Sequence, residues 1–243
     1  MAAIGLSNAT VGIMMMSMLV GVNSAQETLS SQAFGADQLR LCGIYLNRGT
    51  MILNAAYLPL ALTAGLFGEK ILNGLGQEPE VTAVSIDIIR IMLIAVFLWG
   101  HYDLRKRWLA CQRITFVPMI ASFVATAVLV PACYIFMYTC NLGIKGIAVA
   151  AVVKEFIALA ITVVYCYCKP EIRKVMQPHS CESFRGWGEY LALSIPATVM
   201  ICASWWAFEL ITFMSGMLGV LELSSQTVAI QFMILLSLMH VSF

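Results

Sequence analysis

Seven stretches of the chain, 2–31, 46–67, 81–100, 116–138, 142–168, 187–218 and 224–243, are apolar over the length of a membrane-crossing helix. About 20 such residues, at ~1.5 Å each, cover the roughly 30 Å hydrocarbon core of a bilayer. Lipid offers the backbone no hydrogen-bond partners, so each stretch must close its own bonds, as a helix does. Hydrophobic residues make up 60% of the chain and charged residues 11%, against roughly 25% charged in soluble domains. The fold class is therefore all-α integral membrane, with about seven transmembrane helices. The net charge of +1 identifies no partner. The lipid bilayer is implied by the apolar runs, and nucleic acid by nothing in the chain.

The placement of charge orients the helices. Ten of the fourteen basic residues fall in the loops after the first, third and fifth stretches: Arg40, Arg48, Arg105, Lys106, Arg107, Arg113, Lys169, Arg173, Lys174 and Arg185. The other loops hold only Lys70 and Lys145, and Arg90 and Lys154 lie within apolar runs. The positive-inside rule makes the first set cytoplasmic. Cys181 is then cytoplasmic and Cys140 external or lumenal. Residue 1 falls on the non-cytoplasmic side and the chain stops inside an apolar run, which reads as a sequence lacking a preceding helix and a continuation.

Few residues suggest covalent chemistry. The eight cysteines lie mostly inside apolar runs and do not form a disulfide framework. Cys166-x-Cys168 has no second ligand pair for a metal. No Ser/His/Asp, Cys/His or metal-ligand constellation occurs, and the three histidines sit at segment ends or in loops. The expectation is no enzyme, no metal and no cofactor. Asn8-Ala9-Thr10 has the form of a glycosylation sequon, but it lies within a span.

Polar groups inside the spans are more informative. Asn23, Ser24, Gln26, Glu27, Ser30, Ser31 and Gln32 follow an apolar run without a helix breaker, so they must face a wet cavity, other helices or headgroups. Asp87 and Arg90, three apart, form a local pair. Lys154 and Glu155 are neighbours in sequence and should need partners on other helices. Asp103, beside His101 and the Arg105-Lys106-Arg107 run, reads as charge balance at the headgroups. Pro59, Pro118, Pro131 and Pro196 predict kinks or boundaries. A shift of 217 residues lays Leu6, Ser7, Thr10, Val11, Ile13 and Met16 on identical residues from Leu223 to Met233. Such a repeat would be parallel, as in one common transporter design.

Two motifs carry a resemblance to a known family. Ala25-Gln26-Glu27-Thr28-Leu29, Gln32-Ala33-Phe34-Gly35-Ala36 and Gln38 resemble the end of the second helix of eukaryotic MATE (multidrug and toxic compound extrusion) transporters. Trp205-Trp206-Ala207-Phe208-Glu209 resembles the Trp-Trp motif at the start of that family's second lobe. Gly43-x-Tyr45-Leu46-x-Arg48, Gly76-Gln77-Glu78-Pro79-Glu80, Gln112 with Pro118, and Leu142-Gly143-x-x-Gly146-x-Ala148 extend the match along the chain. The resemblance implies part of a 12-helix, two-lobe fold around a central cavity. Residues 1–185 would be the N-terminal lobe (family helices 2–6), and 186–243 the start of the C-terminal lobe (helix 7 and part of 8). The implied function is secondary active antiport, exporting organic cations, xenobiotics or small metabolites in exchange for protons or sodium. The membrane would be the plasma membrane or a vacuolar or endosomal one.

The residues point the same way at one place. Glu209 lies between a Trp-Trp pair and further apolar residues, where its carboxyl is desolvated and suited to exchanging a proton. The faces of Trp205 and Trp206 can hold a cation. Counting from Tyr190 at ~1.5 Å per residue puts Glu209 near 28 Å, in the outer half of the membrane. By the resemblance, Asn8 matches a cavity-facing Asn and Glu27 the acid at the cytoplasmic end of the second helix. Ser204 and Gln231 stand where the family has glutamates, so two of the three acids the resemblance implies are neutral here; Ser204→Glu should then broaden or strengthen cation uptake. The alternatives are a lipid-linked oligosaccharide flippase of the wider superfamily, which needs a cationic cavity, and a truncated fragment that does not transport by itself.

Overall fold

A computed structural model describes residues 2–178 and 181–241, with the side chains of Cys181, Glu209 and 234–241 outside the description. The described residues are helical apart from short connections. The first membrane helix is α1 (Ala2–Val11), a π-helical turn at Gly12–Met16, and α2 (Ser17–Gly35). There follow α3 (Leu39–Gly74), α4 (Pro79–Cys111), α5 (Phe116–Tyr134) with a π turn at Ile135–Thr139, and α6 (Lys145–Cys168). Two short helices, α7 (Pro170–Val175) and α8 (Cys181–Phe184), lead to α9 (Trp187–Leu218) and α10 (Val220–Val241). Among the described residues, six helices are long and apolar enough to cross a membrane. The seventh expected stretch is α10, of 22 residues.

Several helices outrun their apolar stretches. The 36 residues of α3 extend ~54 Å, well past the hydrocarbon, because helix hydrogen bonds continue where hydropathy falls. Arg40, Arg48, Arg105, Lys106 and Arg107, expected in loops, therefore stand on the ends of α3 and α4. Pro59, Pro131 and Pro196 are accommodated inside helices. The Pro59 carbonyl accepts the Thr63 hydroxyl at 2.8 Å, and Pro131 stands one turn before the second π turn, which begins at Ile135.

Burial is inverted relative to a soluble protein. Leu58, Leu62 and Leu66, spaced one turn apart on α3, are exposed, as are Phe123 and Val130 on α5. These are lipid-facing surfaces. The core lies between the first helix, α3, α4 and α9, where Leu6, Leu19, Leu53, Leu104, Trp108 and Tyr190 are fully buried. Trp108 donates its indole N–H to the Cys42 carbonyl at 3.1 Å, tying α4 to α3. At the far end the Gln77 amide donates to the Phe213 carbonyl at 3.1 Å, joining the α3–α4 loop to α9.

Candidate functional site

The π turn at Gly12–Met16 sets the site. A π turn leaves carbonyls open to partners outside the helix, and such turns collect at functional places. The Ile13 carbonyl accepts the Ser17 hydroxyl at 3.0 Å and the Trp206 indole N–H at 3.2 Å. The same indole lies 3.1 Å from Ser17 Oγ. One turn on, Gly21 meets the Thr198 backbone so closely that a methyl group has no room. Together these contacts hold α9 against the first helix.

Beside this seam is a cavity of about 190 Å³ between α1, α4, α9 and α10. Asn8, Gly12, Trp205, Thr212, Thr227 and Gln231 are in its wall, with Met16 and Met92. A Cβ on Gly5 would run into the Thr227 side chain, so glycine lets α1 and α10 approach here. Thr227 and Thr10, aligned by the 217-residue shift, each donate one turn back, to the Leu223 and Leu6 carbonyls, at 2.8 and 2.7 Å. Thr212 is 3% exposed, and its hydroxyl has no partner among the described residues. No charged side chain among the described residues lines the cavity. The wall is polar at a few points, aromatic at Trp205 and otherwise apolar, which suits a small amphipathic molecule.

Three of the residues singled out in the sequence meet here: Asn8, Trp205 and Gln231. The side chain of Glu209 lies outside the described residues. Its place in the register of α9, four residues after Trp205 and three before Thr212, is on the face those two share. Trp206 is turned away, with its indole on the π turn, and lines a separate apolar cavity with Ile13 and Phe213. Ser204 is exposed, donates to the Met200 carbonyl at 3.0 Å, and is not in the cavity wall. Sequence reading missed Thr212 and the glycines. The signals were Thr212 seven residues after Trp205, and Gly5, Asn8 and Gly12 at helical spacing on one face.

Glu27 stands at the other end of the first helix, 19 residues and ~28 Å from Asn8. There it pairs with Arg107 at 2.9 Å. Arg107 also donates to Asp103 Oδ2 at 2.9 Å, and Asn23 donates to the same oxygen and to the Gly100 carbonyl, both at 3.1 Å. Asp103 is 6% exposed, so it is a buried partner of α2 rather than a solvated charge. The apolar part of α4 packs its next two turns into the bundle despite the basic run. His101 likewise lies within α4, buried, with Nε2 at 3.0 Å from Asn54 Oδ1. Lys154 and Glu155 pair with each other at 2.7 Å, because the long lysine stem reaches around the helix. Asp87 takes Lys145 at 2.7 Å as well as Arg90 at 3.7 Å. No group of three or more His, Cys, Asp or Glu able to hold a metal occurs among the described residues.

Comparisons with known proteins bear on the family and the fold. The MatE family model matches residues 1–135. The chain belongs to the MATE family. Multidrug and toxin extrusion protein 2 of Pongo abelii is 31% identical over 228 residues, covering 94% of this chain and 39% of that protein. Multidrug and toxin extrusion protein 2 of Oryctolagus cuniculus is 32% identical over 231 residues, covering 94% and 38%. The chain thus spans about two-fifths of the length of these relatives. The crystal structure of the eukaryotic MATE transporter AtDTX14 superposes with a TM-score of 0.84 at 25% identity, over 93% of this chain and 51% of that one. The molecule is a multi-pass membrane protein with the fold of part of a MATE transporter, as the sequence resemblance implied.

Proposed function

We propose that this chain contributes the cavity wall of a secondary active antiporter that exports organic cations or small metabolites in exchange for protons or sodium. The observation that carries the reading is the convergence of Asn8, Trp205, Thr212 and Gln231 on one cavity between α1, α9 and α10. The exposed face of Trp205 supplies a surface for a cation, Thr212 and the two amides supply hydrogen bonds, and Glu209 supplies the exchangeable charge. Residues 1–185 form one lobe and 186–243 begin the other, so that transport follows their rocking about this cavity. The flippase alternative is not favoured. Arg90 and Lys154 are each paired with an acid, and neither lines the cavity.

Two measurements test this. Tetraethylammonium titrated into the purified protein should quench tryptophan fluorescence saturably, and Trp205→Ala should abolish that quench. In proteoliposomes of a transporter carrying these residues, Glu209→Gln should abolish pH- or sodium-driven exchange of tetraethylammonium while leaving expression intact. Normal exchange by Glu209→Gln would remove Glu209 from the coupling site.

A further inference from the structure

The basic end of the bundle holds a further cavity, of about 410 Å³, apart from the one assigned to export. It lies between α3, α4, α6 and the chain after α7, with Thr50, Arg105, Tyr167, Arg173 and Gln177 in its wall. Its rim is fixed. Asn47 donates to the Gln177 and Pro178 carbonyls at 2.8 and 3.4 Å, and Ile172 and Val175 of α7 are buried. α7 therefore lies against the bundle and holds Arg173 at the cavity.

The charge in this cavity is one-sided. Arg105 is half-buried, and its Nη1 donates only to its own helix, at the His101 carbonyl, 3.1 Å away, with His101 Nδ1 at 3.5 Å. Arg107 nearby is paired twice, but neither Arg105 nor Arg173 is in an ion pair among the described residues. No acidic side chain among the described residues lines the cavity; Glu171, on α7, is exposed and outside its wall. A half-buried guanidinium without a counter-charge is costly, and Arg105 together with the more exposed Arg173 in the same wall suits the oxygens of a phosphate.

The depth of the cavity selects the occupant. Arg105 is six residues, or ~9 Å, before the end of α4 at Cys111, and Tyr167 is the penultimate residue of α6. This is the level where headgroups border the hydrocarbon. One turn deeper on α6, Val164 is exposed on the lipid-facing surface, beside the path an acyl chain would take. We propose that this cavity binds the phosphate headgroup of an anionic phospholipid from the leaflet at the basic end, with Arg105 and Arg173 as its ligands and Tyr167 as a further donor. Basic pockets between membrane helices on the cytoplasmic side recognise lipids by this chemistry. The inference stands apart from the export reading.

The test uses the whole chain in nanodiscs of phosphatidylcholine with a minor fraction of phosphatidic acid. Native mass spectrometry should show phosphatidic acid enriched at least about tenfold over phosphatidylcholine in the retained lipid, the scale of one charge-assisted hydrogen bond. R105Q and R173Q should each reduce that enrichment about tenfold, and K106Q, an equal charge change outside the cavity, should not. In the wild-type protein, phosphatidic acid should protect Arg105 from phenylglyoxal, a readout that needs no variant to fold. Absence of enrichment, or an equal loss in K106Q, would overturn the proposal. Equal protection of Arg105 by millimolar inorganic phosphate in pure phosphatidylcholine would overturn the lipid assignment in favour of a soluble anion.

Discussion

Replacing Asp103 tests whether the polar group at the basic end is part of the packed bundle. The Asp103 side chain is 9% exposed, and its Oδ2 accepts from Arg107 Nε at 2.9 Å and from Asn23 Nδ2 at 3.1 Å. Leucine, of similar size, removes both bonds. A hydrogen bond to a charged group contributes about 1.5–3 kcal/mol and a neutral one about 1. The loss is softened on each side, since Arg107 keeps Glu27 at 2.9 Å and Asn23 keeps the Gly100 carbonyl at 3.1 Å. The penalty of about 3–5 kcal/mol for stranding a buried ion is therefore not reached. Asp103→Leu should destabilise by about 2–3 kcal/mol, and Asp103→Asn, which keeps the shape and an acceptor, by about 1.

Glu27→Gln is the internal control. Its carboxylate also lies 2.9 Å from Arg107, but the side chain is 60% exposed, so water and salt screen the pair and its loss costs less than about 1 kcal/mol. Thermal unfolding of the detergent-solubilised chain, followed by tryptophan fluorescence, should rank Asp103→Leu below Asp103→Asn and that below Glu27→Gln in melting temperature. Molar salt should shrink only the Glu27 effect. If Glu27→Gln is as damaging as Asp103→Leu, or Asp103→Leu is neutral, the cluster is hydrated and the burial argument fails.

Three further outcomes follow from the contacts. Gly21→Val should lower the same melting temperature, by the equivalent of about 1–3 kcal/mol of overpacking against Thr198, whereas Gly35→Val, with nothing within 4 Å of its Cβ position, should change little. Trp206→Phe removes the indole bonds to Ile13 and Ser17 and should cost about 1–2 kcal/mol while leaving tetraethylammonium quenching intact; loss of binding with unchanged stability would show Trp206 rather than Trp205 at the ligand. Cys140, just after the π turn that ends the α5 span, and Cys168, the last residue of α6, are both exposed and separated by the length of α6, and should respond oppositely to an impermeant maleimide applied from outside, which should label only a variant retaining Cys140. Labelling of the Cys168 variant instead would reverse the orientation derived from the basic loops.

Hydropathy made the helices legible because lipid leaves the backbone no alternative, and Trp187–Leu218 was read to the residue. It failed at the ends of α3 and α4, where Arg48 and Arg107 continue the helix beyond the apolar stretch. Hydropathy reports what a residue would gain from lipid, not whether its backbone is hydrogen-bonded. The same limit hid Asp103. A carboxylate next to three basic residues looks hydrated in one dimension, and only the packing of α2 on α4 brings Asn23 to it. Lys154 and Glu155 were misjudged for a different reason. Neighbours on a helix diverge at Cβ, but a four-carbon stem can undo that divergence, and the pair closes to 2.7 Å.

The Trp-Trp dipeptide shows how far a motif can be read before geometry is needed. At 3.6 residues per turn, adjacent side chains point ~100° apart, so Trp205 and Trp206 cannot both present a face to one ligand. Their division of labour depends on where a second surface offers the indole N–H a partner. The π turn at Gly12–Met16 offers one in the Ile13 carbonyl, 193 positions away, and Trp206 takes it. Trp205 is thereby held in the cavity wall with Asn8, and Trp205 and Thr212 share the face of α9 that meets α1 and α10. Anchoring and lining are in this way linked through one helix register. A one-residue slip of α9 that carried Trp205 to the π turn would bring Ser204 into the wall and empty it of its aromatic face.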